Sequence, residues 1–414
     1  MPGATKPADD GELIELVRWA ASAETPLELV GGGSKRNLGR PLGNAHTIDM
    51  TDFSGITLYE PDELVLSARA NTKLADIEAA LEAENQYLAF EPGHLGAALS
   101  PEPDDAPVPT LGGVVATGLS GPRRIQAGAV RDHVLGIASV TGRAEAVKTG
   151  GRVVKNVTGY DLSKLLTGSF GTLAAMTDIT LKVLPAPEKA RTVLIFGLSD
   201  TAASAAMTSA LMSPHGITGA AHLPQRAAER SHIGYVKSAA TGATAIRVEG
   251  FGPSVEARCA ALKDSLGKFG PIEQLRTKNT RLLWNEIRDL ALIREPQKNL
   301  LWRISLAPRS GAAFVDAALG RFDGHAVYDW GGGLVWLSLD PSGLDGESSA
   351  AALRALIAQH GGGHATLIRA PASMRAAVPV FEPQDPALAA LTRRVKESFD
   401  PTGIFGPGRM YDGV

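Results

Sequence analysis

The sequence predicts an α+β chain, and three patterns predict it. Short strand-like apolar runs in the first half are separated by loops rich in glycine. From Val193 to Arg369 the order strand–helix–strand recurs. Between these regions, Pro185-Ala186-Pro187 interrupts the pattern and marks a first domain boundary.

Taken in order, Leu13, Ile14, Leu16, Val17 and Ala20 fall on one face of a helix that ends before Pro26. Leu27, Leu29 and Val30 then form a short buried strand running into Gly31-Gly32-Gly33. Alternation from Leu64 to Ala68 predicts a strand, and Thr72 is expected to cap a helix whose inward face is Leu74, Ile77 and Leu81. Strands from Val134 to Val140 and from Ala144 to Lys148 flank a hairpin turn at Thr141-Gly142-Arg143. A further strand runs from Leu173 to Leu184.

Beyond the boundary, a strand from Val193 to Leu198 precedes an alanine-rich helix at 201–212. A strand from Ile246 to Phe251 precedes a helix with Val255, Cys259, Leu262, Leu266 and Phe269 on one face. Then follow Leu301 to Leu306, a helix near 311–321, paired strands near 326–339, a helix at 348–359 and Ala365 to Arg369. This succession suits one or two ferredoxin-like α+β sandwiches, with helices on one face of an antiparallel sheet. The glycine runs at 31–33, 331–333 and 361–363 have unrelated flanks and are not a repeat. A last helix after Pro371 should face Leu388, Leu391, Val395 and Phe399 inward and stop at Asp400-Pro401-Thr402-Gly403. The divisions expected are therefore 1–187, 188–370 and 371–414.

A chain of 414 residues with 44% hydrophobic and 21% charged residues has material for two or three cores. Its net charge of −3, with both signs mixed along the chain, argues against a nucleic-acid or anionic-membrane surface. Cys259 is the one cysteine, so neither an intrachain disulfide nor an iron–sulfur cluster held by cysteines of this chain alone is available. The amino-terminal stretch carries acids where a signal peptide needs bases, and no apolar run approaches the roughly 18 residues of a membrane helix. A cytoplasmic protein is expected, touching a membrane only through partners. The nine histidines are scattered without metal-ligand spacing, and no Gly-x-Ser-x-Gly elbow is present. No metal site is expected.

Chemistry concentrates in three glycine clusters. In the first, Gly31, Gly32 and Gly33 let the backbone approach a ligand, and successive N–H groups can converge on a phosphate or diphosphate. Ser34 and Asn37 add donors, and Lys35 or Arg36 adds charge. Neither the Walker A order nor the first–third–sixth dinucleotide spacing is met, so an ordinary turn remains open. The second, Thr110-Leu111-Gly112-Gly113-Val114-Val115-Ala116-Thr117-Gly118, with Gly121 beyond, holds only small residues over most of its length. It reads as backbone packed edge-on against a flat ligand, or as a glycine-rich crossover. The third comprises Lys155, Asn156, Gly159, Tyr160 and Asp161, then Gly168 and Gly171. Lys155 and Asp161 read either as surface charges or as a buried polar pair near a cofactor.

In this order, the clusters resemble the FAD-binding domain of vanillyl-alcohol-oxidase and p-cresol-methylhydroxylase-type flavoproteins, over about residues 20–185. The segment from Asp400 through Gly408 and Arg409 resembles that family's closing stretch. Ser120-Gly121-Pro122-Arg123-Arg124, the Leu301-Trp302-Arg303 strand and the short cap are most similar to the FAD-binding subunits of glycolate oxidases. The resemblance implies a PCMH-type FAD domain of two subdomains, an α+β cap and a C-terminal segment returning to the FAD domain. It places the first loop on the pyrophosphate, the second and third on the flavin, and Ile179 near the ADP half. The first loop lacks the histidine of covalently flavinylated members, which implies dissociable FAD. Implied partners are a larger flavoprotein subunit and an iron–sulfur subunit.

Oxidising a 2-hydroxy acid needs a hydride acceptor, a base for the hydroxyl proton and a fork for the carboxylate. Arg303 and Arg369, on otherwise apolar strands, are candidate forks, and His364 is a candidate base. Each also has an ordinary reading as a solvated strand or loop residue. Arg409 can neutralise charge near the flavin or brace the tail. Two rival functions stay open: a non-catalytic flavin-binding assembly subunit, and a stand-alone flavin reductase of the cell-wall precursor type. The second lacks a recognisable nucleotide-sugar site.

Overall fold

The computed structural model describes residues 4–100, 102, 105–152, 159–342 and 346–414. They form two compact units: 1–120, 128–186 and 383–414 make unit 1, and 121–127 with 187–382 make unit 2.

Unit 1 starts with a helix, Asp10–Ser22, whose first turn is capped by the Asp9 carboxylate accepting from the Glu12 N–H at 2.9 Å. Its inward stripe is Leu13, Val17 and Ala20, all fully buried. The first strand, β1 (Leu27–Val30), pairs in parallel with β2 (His46–Asp49). On the other side of β1 lies the C-terminal tail: the Leu27 N–H donates to the Ile404 carbonyl at 2.7 Å, and Gly406 N–H donates to the Leu27 carbonyl at 3.0 Å. Next come β3 (Ile56–Glu60), β4 (Val65–Arg69), β5 (Gln86–Tyr87), β6 (Val134–Thr141), β7 (Ala146–Gly150), β8 (Ala174–Lys182) and β9 (Leu184–Pro185). A five-stranded antiparallel sheet has the order β3-β4-β8-β6-β7, and β5 pairs separately with β9. Its apolar face, including Leu66, Ile137, Ile179 and Leu181, packs with Leu74, Ile77 and Leu81 of the helix Leu74–Ala83.

Two expectations for unit 1 are corrected. Thr72 does not cap that helix: its hydroxyl donates to the Arg69 carbonyl at 2.7 Å, and the Leu74 N–H goes to the Pro109 carbonyl. In the last helix, Pro386–Phe399, Leu388 and Leu391 are 46% and 48% exposed. Only Val395 and Phe399 reach the core, and the fully buried position between them is Lys396. Apolar periodicity cannot reveal a helix face whose buried member is a cation with its own partners.

Unit 2 is one eight-stranded antiparallel sheet. Its strands are β10 (Lys189–Phe196), β11 (Ile217–Leu223), β12 (Ala243–Gly250), β13 (Ile272–Leu275), β14 (Leu300–Leu306), β15 (Gly324–Asp329), β16 (Leu334–Leu339) and β17 (Gly363–Arg369). The order is β13-β10-β12-β11-β15-β16-β14-β17. The first four strands, with helices Asp200–Leu211 and Gly252–Leu266, make a β-α-β-β-α-β motif. The last four repeat it, with helices Gly311–Leu319 and Gly346–Gln359. The two motifs meet where β11 pairs with β15 through His222 and Tyr328. Phe269 lies beyond the end of Gly252–Leu266 and is only half-buried, unlike Val255, Cys259, Leu262 and Leu266. Unit 2 runs on to 382 because the Leu367 N–H donates to the Val380 carbonyl (2.8 Å) and Ala365 N–H to the Glu382 carboxylate (2.9 Å).

Candidate functional site

Unit 1 contains a hollow built around the end of β1. The chain leaves the sheet at Gly31, and contacts here dictate glycine. A Cβ on Gly31 would stand 2.4 Å from Asn71 Oδ1, and one on Gly32 would stand 2.1 Å from the Val108 carbonyl oxygen. Gly33 has φ of +80°, in the left-handed region. The loop's carbonyls turn inward: Gly33 and Lys35 accept from the Arg36 and Leu38 N–H groups at 3.1 and 3.0 Å. The N–H groups of Gly32, Gly33, Ser34 and Lys35 have no acceptor among the described residues. Clustered, unanswered main-chain donors are the elements of an anion nest.

Lys35 adds charge to that nest. It is 9% exposed, and its Nζ has Ser34 Oγ at 3.4 Å as its hydrogen-bond partner. Burial pushes its ammonium down to about 8. The neighbouring arginines are differently placed. Arg36 and Arg409 both face the Glu28 carboxylate, at 3.0 and 3.6 Å, and Arg409 donates to the Arg36 carbonyl at 2.9 Å. Arg409 therefore braces the loop from the tail while also lining the hollow.

The second wall is the helix Leu111–Thr117, N-capped by Thr110, whose hydroxyl accepts from the Gly113 N–H at 3.4 Å. Leu111, Val114 and Val115 face the core, which leaves Gly112, Gly113, Ala116 and Thr117 toward the hollow. A Cβ on Gly112 would meet the Ala70 carbonyl at 2.8 Å, so glycine is what seats the helix there. The segment thus presents a helix face, not an extended edge. Phe170, Gly171 and the start of β8, Ala174 to Met176, close a third side. The space encloses about 950 Å³ with its open mouth included. Asn71 Oδ1 is buried at this wall without a hydrogen-bond partner.

Of the residues expected to bind cofactor, Gly31, Gly32, Gly33, Ser34, Lys35, Thr110, Gly112, Gly113, Ala116, Thr117, Gly171 and Arg409 line this hollow. Others do not. Asn37 is exposed. Gly118 and Gly168 pack on each other, since a Cβ on Gly118 would lie 3.2 Å from the Gly168 Cα. The Gly121 carbonyl accepts from Trp330 Nε1 at 3.1 Å within unit 2. Gly159, Tyr160 and Asp161 are exposed, Asp161 capping the helix Leu162–Leu166 by accepting from the Lys164 N–H. Asp161 is therefore not half of a buried pair. Lys155 and Asn156 lie outside the described residues. Ile179 is wholly in the core, and its strand meets the hollow three to five residues earlier. Asn71, Met50 and Ala70 also line it and were not signalled by composition.

Arg303, Arg369 and His364 all belong to unit 2. Arg369 is engaged by its surroundings: its guanidinium donates to the carbonyls of Asn299 (3.2 Å), Arg294 (2.7 Å) and Pro296 (3.2 Å) and to Gln297. It clamps a loop and is not presented as a fork for a ligand. His364 is exposed on the edge strand β17, opposite Ser305. Arg303 sits opposite Thr366, its guanidinium 5.1 Å from the Trp330 ring.

The family described as "FAD binding domain" matches residues 2–150. The glycolate oxidase subunit GlcE of Escherichia coli is 36% identical over 401 residues, 96% of this chain and 96% of that one. A D-lactate dehydrogenase of Anaerostipes hadrus is 34% identical over 167 residues, which cover 40% of this chain and 31% of its own. Among solved structures, 4-ethylphenol oxidase from Gulosibacter chungangensis superposes with a TM-score of 0.71 at 13% identity, over 98% of this chain and 88% of that one. For p-cresol methylhydroxylase the TM-score is 0.70 at 12% identity, over 99% and 88%. These likenesses show the PCMH-type fold.

Proposed function

The chain belongs to the family of the glycolate oxidase subunit GlcE, and from that premise we propose that it is the FAD-binding subunit of a complex oxidising a small 2-hydroxy acid to a 2-oxo acid. Its class is FAD-linked oxidoreductase. The observation that carries the reading is Lys35, a buried ammonium at the wall of a glycine-lined hollow, with the N–H groups of Gly32 to Lys35 beside it.

These groups fit a diphosphate, which brings the negative charge and acceptor oxygens that they lack. The small residues Gly112, Gly113, Ala116 and Thr117, facing Ala174 and Ala175, leave room for a flat ring system. Asn71 Oδ1 is free to accept from a cofactor N–H or O–H. The hollow's lining includes no histidine, cysteine or tyrosine among the described residues, which supports dissociable FAD. When bound, FAD supplies an acceptor for the hydride of the α-carbon. Arg303 is assigned to the substrate carboxylate; Arg369 is assigned no role with substrate, because main-chain carbonyls hold it.

Electrons leave through a larger flavoprotein subunit and an iron–sulfur subunit. In support, Cys259 is buried and its thiol is pushed up to about 11, and no cluster of metal-binding side chains occurs among the described residues. No helix among the described residues is long and apolar enough to cross a membrane.

One observation favours the second reading, a flavin-binding assembly subunit. Apart from Lys35, the charged groups lining the hollow are Arg36 and Arg409, both facing Glu28, so the lining offers little for acid–base work. Anaerobic addition of glycolate or D-lactate to the purified chain loaded with FAD separates the two. Bleaching of the yellow colour supports catalysis in this subunit. A spectrum that changes only when the partner subunits are added supports assembly or relay.

A further inference from the structure

The hollow shaped by the glycines also holds a primary amine, and an amine has a chemistry beyond its charge. Among the described residues that line the hollow, Lys35 alone carries one. Its side chain crosses from the loop after β1 to the helix Leu111–Thr117, where the bare Cα of Gly113 makes room for it. A Cβ on Gly113 would lie 3.7 Å from Lys35 Cδ and 3.9 Å from its Nζ. The Nζ has the Ser34 hydroxyl at 3.4 Å and no carboxylate among the described residues. The other cations of the lining, Arg36 and Arg409, are guanidiniums, which keep their protons and do not condense with carbonyl groups.

An amine condenses with an aldehyde only while unprotonated, and efficiently only if the aldehyde is held beside it. Burial in the hollow meets the first condition. With the proton leaving at about 8, roughly half of Lys35 is free amine at pH 8, against less than about 1% for an ordinary lysine. The N–H groups of Gly32 to Lys35 meet the second, because these unanswered donors beside the amine form a seat for a phosphate. Lys396 is the contrary case: Asp400 and the carbonyls of Thr172 and Phe405 give each of its three ammonium hydrogens an acceptor.

We propose that Lys35 of the FAD-free chain is a modification site for phosphate-bearing aldehydes, which seat their phosphate on the Gly32–Lys35 nest and condense with the Nζ. The nitrogen lone pair adds to the carbonyl carbon and a C–N bond forms. The carbonyl oxygen then leaves as water with the two amine hydrogens, so C=N replaces C=O with no change of oxidation state. The imine nitrogen takes up a proton, and the seated phosphate balances that charge. Adduct and diphosphate need the same nest, so each excludes the other. The proposal rests on the reading of the hollow as a diphosphate site and deepens it, without requiring that the diphosphate be FAD.

Labelling of the full FAD-free chain with equimolar pyridoxal phosphate at pH 8, trapped with borohydride and located by peptide mapping, tests it. The label on Lys35 should exceed that on any exposed lysine by about tenfold or more. Deoxypyridoxal, the same ring aldehyde without the phosphate, should label Lys35 about tenfold less. Inorganic diphosphate and, separately, FAD should each suppress the label. Lys35→Arg, which keeps the charge without the free amine, and Lys35→Met should both remove it without raising the label elsewhere. Should either variant fail to fold, the mapping and the diphosphate protection of the parent chain still decide. Label spread evenly over exposed lysines, deoxypyridoxal as effective as the phosphate, or no protection by diphosphate overturns the proposal. Protection by diphosphate but not by FAD sinks the FAD assignment alone. FAD uptake by a chain whose Lys35 stays unlabelled sinks this site alone.

Discussion

Among its described residues unit 1 buries two lysines, in the glycine-lined hollow and in the C-terminal clasp, and their surroundings differ in a way that separates function from structure. Lys396 is fully answered: its Nζ lies 2.6 Å from Asp400 Oδ2 and 2.7 Å from the carbonyls of Thr172 and Phe405. Asp400 in turn accepts from the N–H groups of Ile404 and Phe405 at 3.1 and 2.8 Å. This clasp ties the last helix, the loop before β8 and the tail beside β1 into one framework. Lys35 has only a neighbouring hydroxyl. A buried cation with every donor satisfied is part of the scaffold; one left without an anion is a receptor for it. Unit 2 repeats the contrast with arginines, Arg369 being held by main-chain carbonyls while Arg303 lies over the indole of Trp330 with no hydrogen-bond acceptor among the described residues.

The contrast can be broken by substitution. Lys396→Met should have the largest effect, because it leaves the Asp400 carboxylate buried without its counter-ion; urea unfolding should show a loss of about 3–5 kcal/mol. A loss under 1 kcal/mol would mean that the clasp is not what holds the tail. Lys35→Met should do the opposite in the FAD-free protein. The folded-state value for Lys35, about 8, lies below its usual 10.5, so the folded protein carries the full cost of burying the charge below pH 8. That cost fades as the proton is lost between pH 8 and 10.5. The Met variant should therefore be more stable by about 3 kcal/mol at pH 7, with the gap closing toward pH 10.5. A gap independent of pH would show that Lys35 is solvated or paired.

Arg369→Ala should cost about 2 kcal/mol by releasing the carbonyls of the 294–299 loop, with FAD affinity unchanged. A change in FAD affinity without loss of stability would restore Arg369 as a functional residue. Tyr160→Ala should do least. This side chain is 92% exposed, and both stability (within about 0.5 kcal/mol) and FAD binding should be those of the parent chain. A marked loss of FAD binding would return the third glycine cluster to the site.

Much of the first loop was legible because close backbone approach and positive φ have a compositional signature, which Gly31, Gly32 and Gly33 display. The second cluster was legible as a wall of small residues but not as a helix. Two adjacent glycines argue against one by propensity, and packing of Gly112 on the Ala70 carbonyl overrides that preference. Ile179 came from the family resemblance, which points to this strand but not to how far along it the hollow begins; the lining residues are Ala174 to Met176. Asn71 is a single polar residue after a strand, with nothing in its neighbours to mark it. In unit 2, β11 and β13 carried no signal that was recognised, while six of the eight strands were readable one by one. Their union in one sheet was not, because the two motifs join through a single residue pair, His222 and Tyr328.

The central claim is that Lys35 and the N–H groups beside it hold the diphosphate of FAD, and a titration of the FAD-free chain with FAD tests it most directly. Flavin fluorescence should be quenched to a one-to-one endpoint, and Lys35→Met should weaken binding about 30-fold or more, the loss expected for a buried charge-assisted contact. Failure of the folded parent chain to take up FAD, or a Lys35→Met variant that binds it as tightly, would contradict the claim.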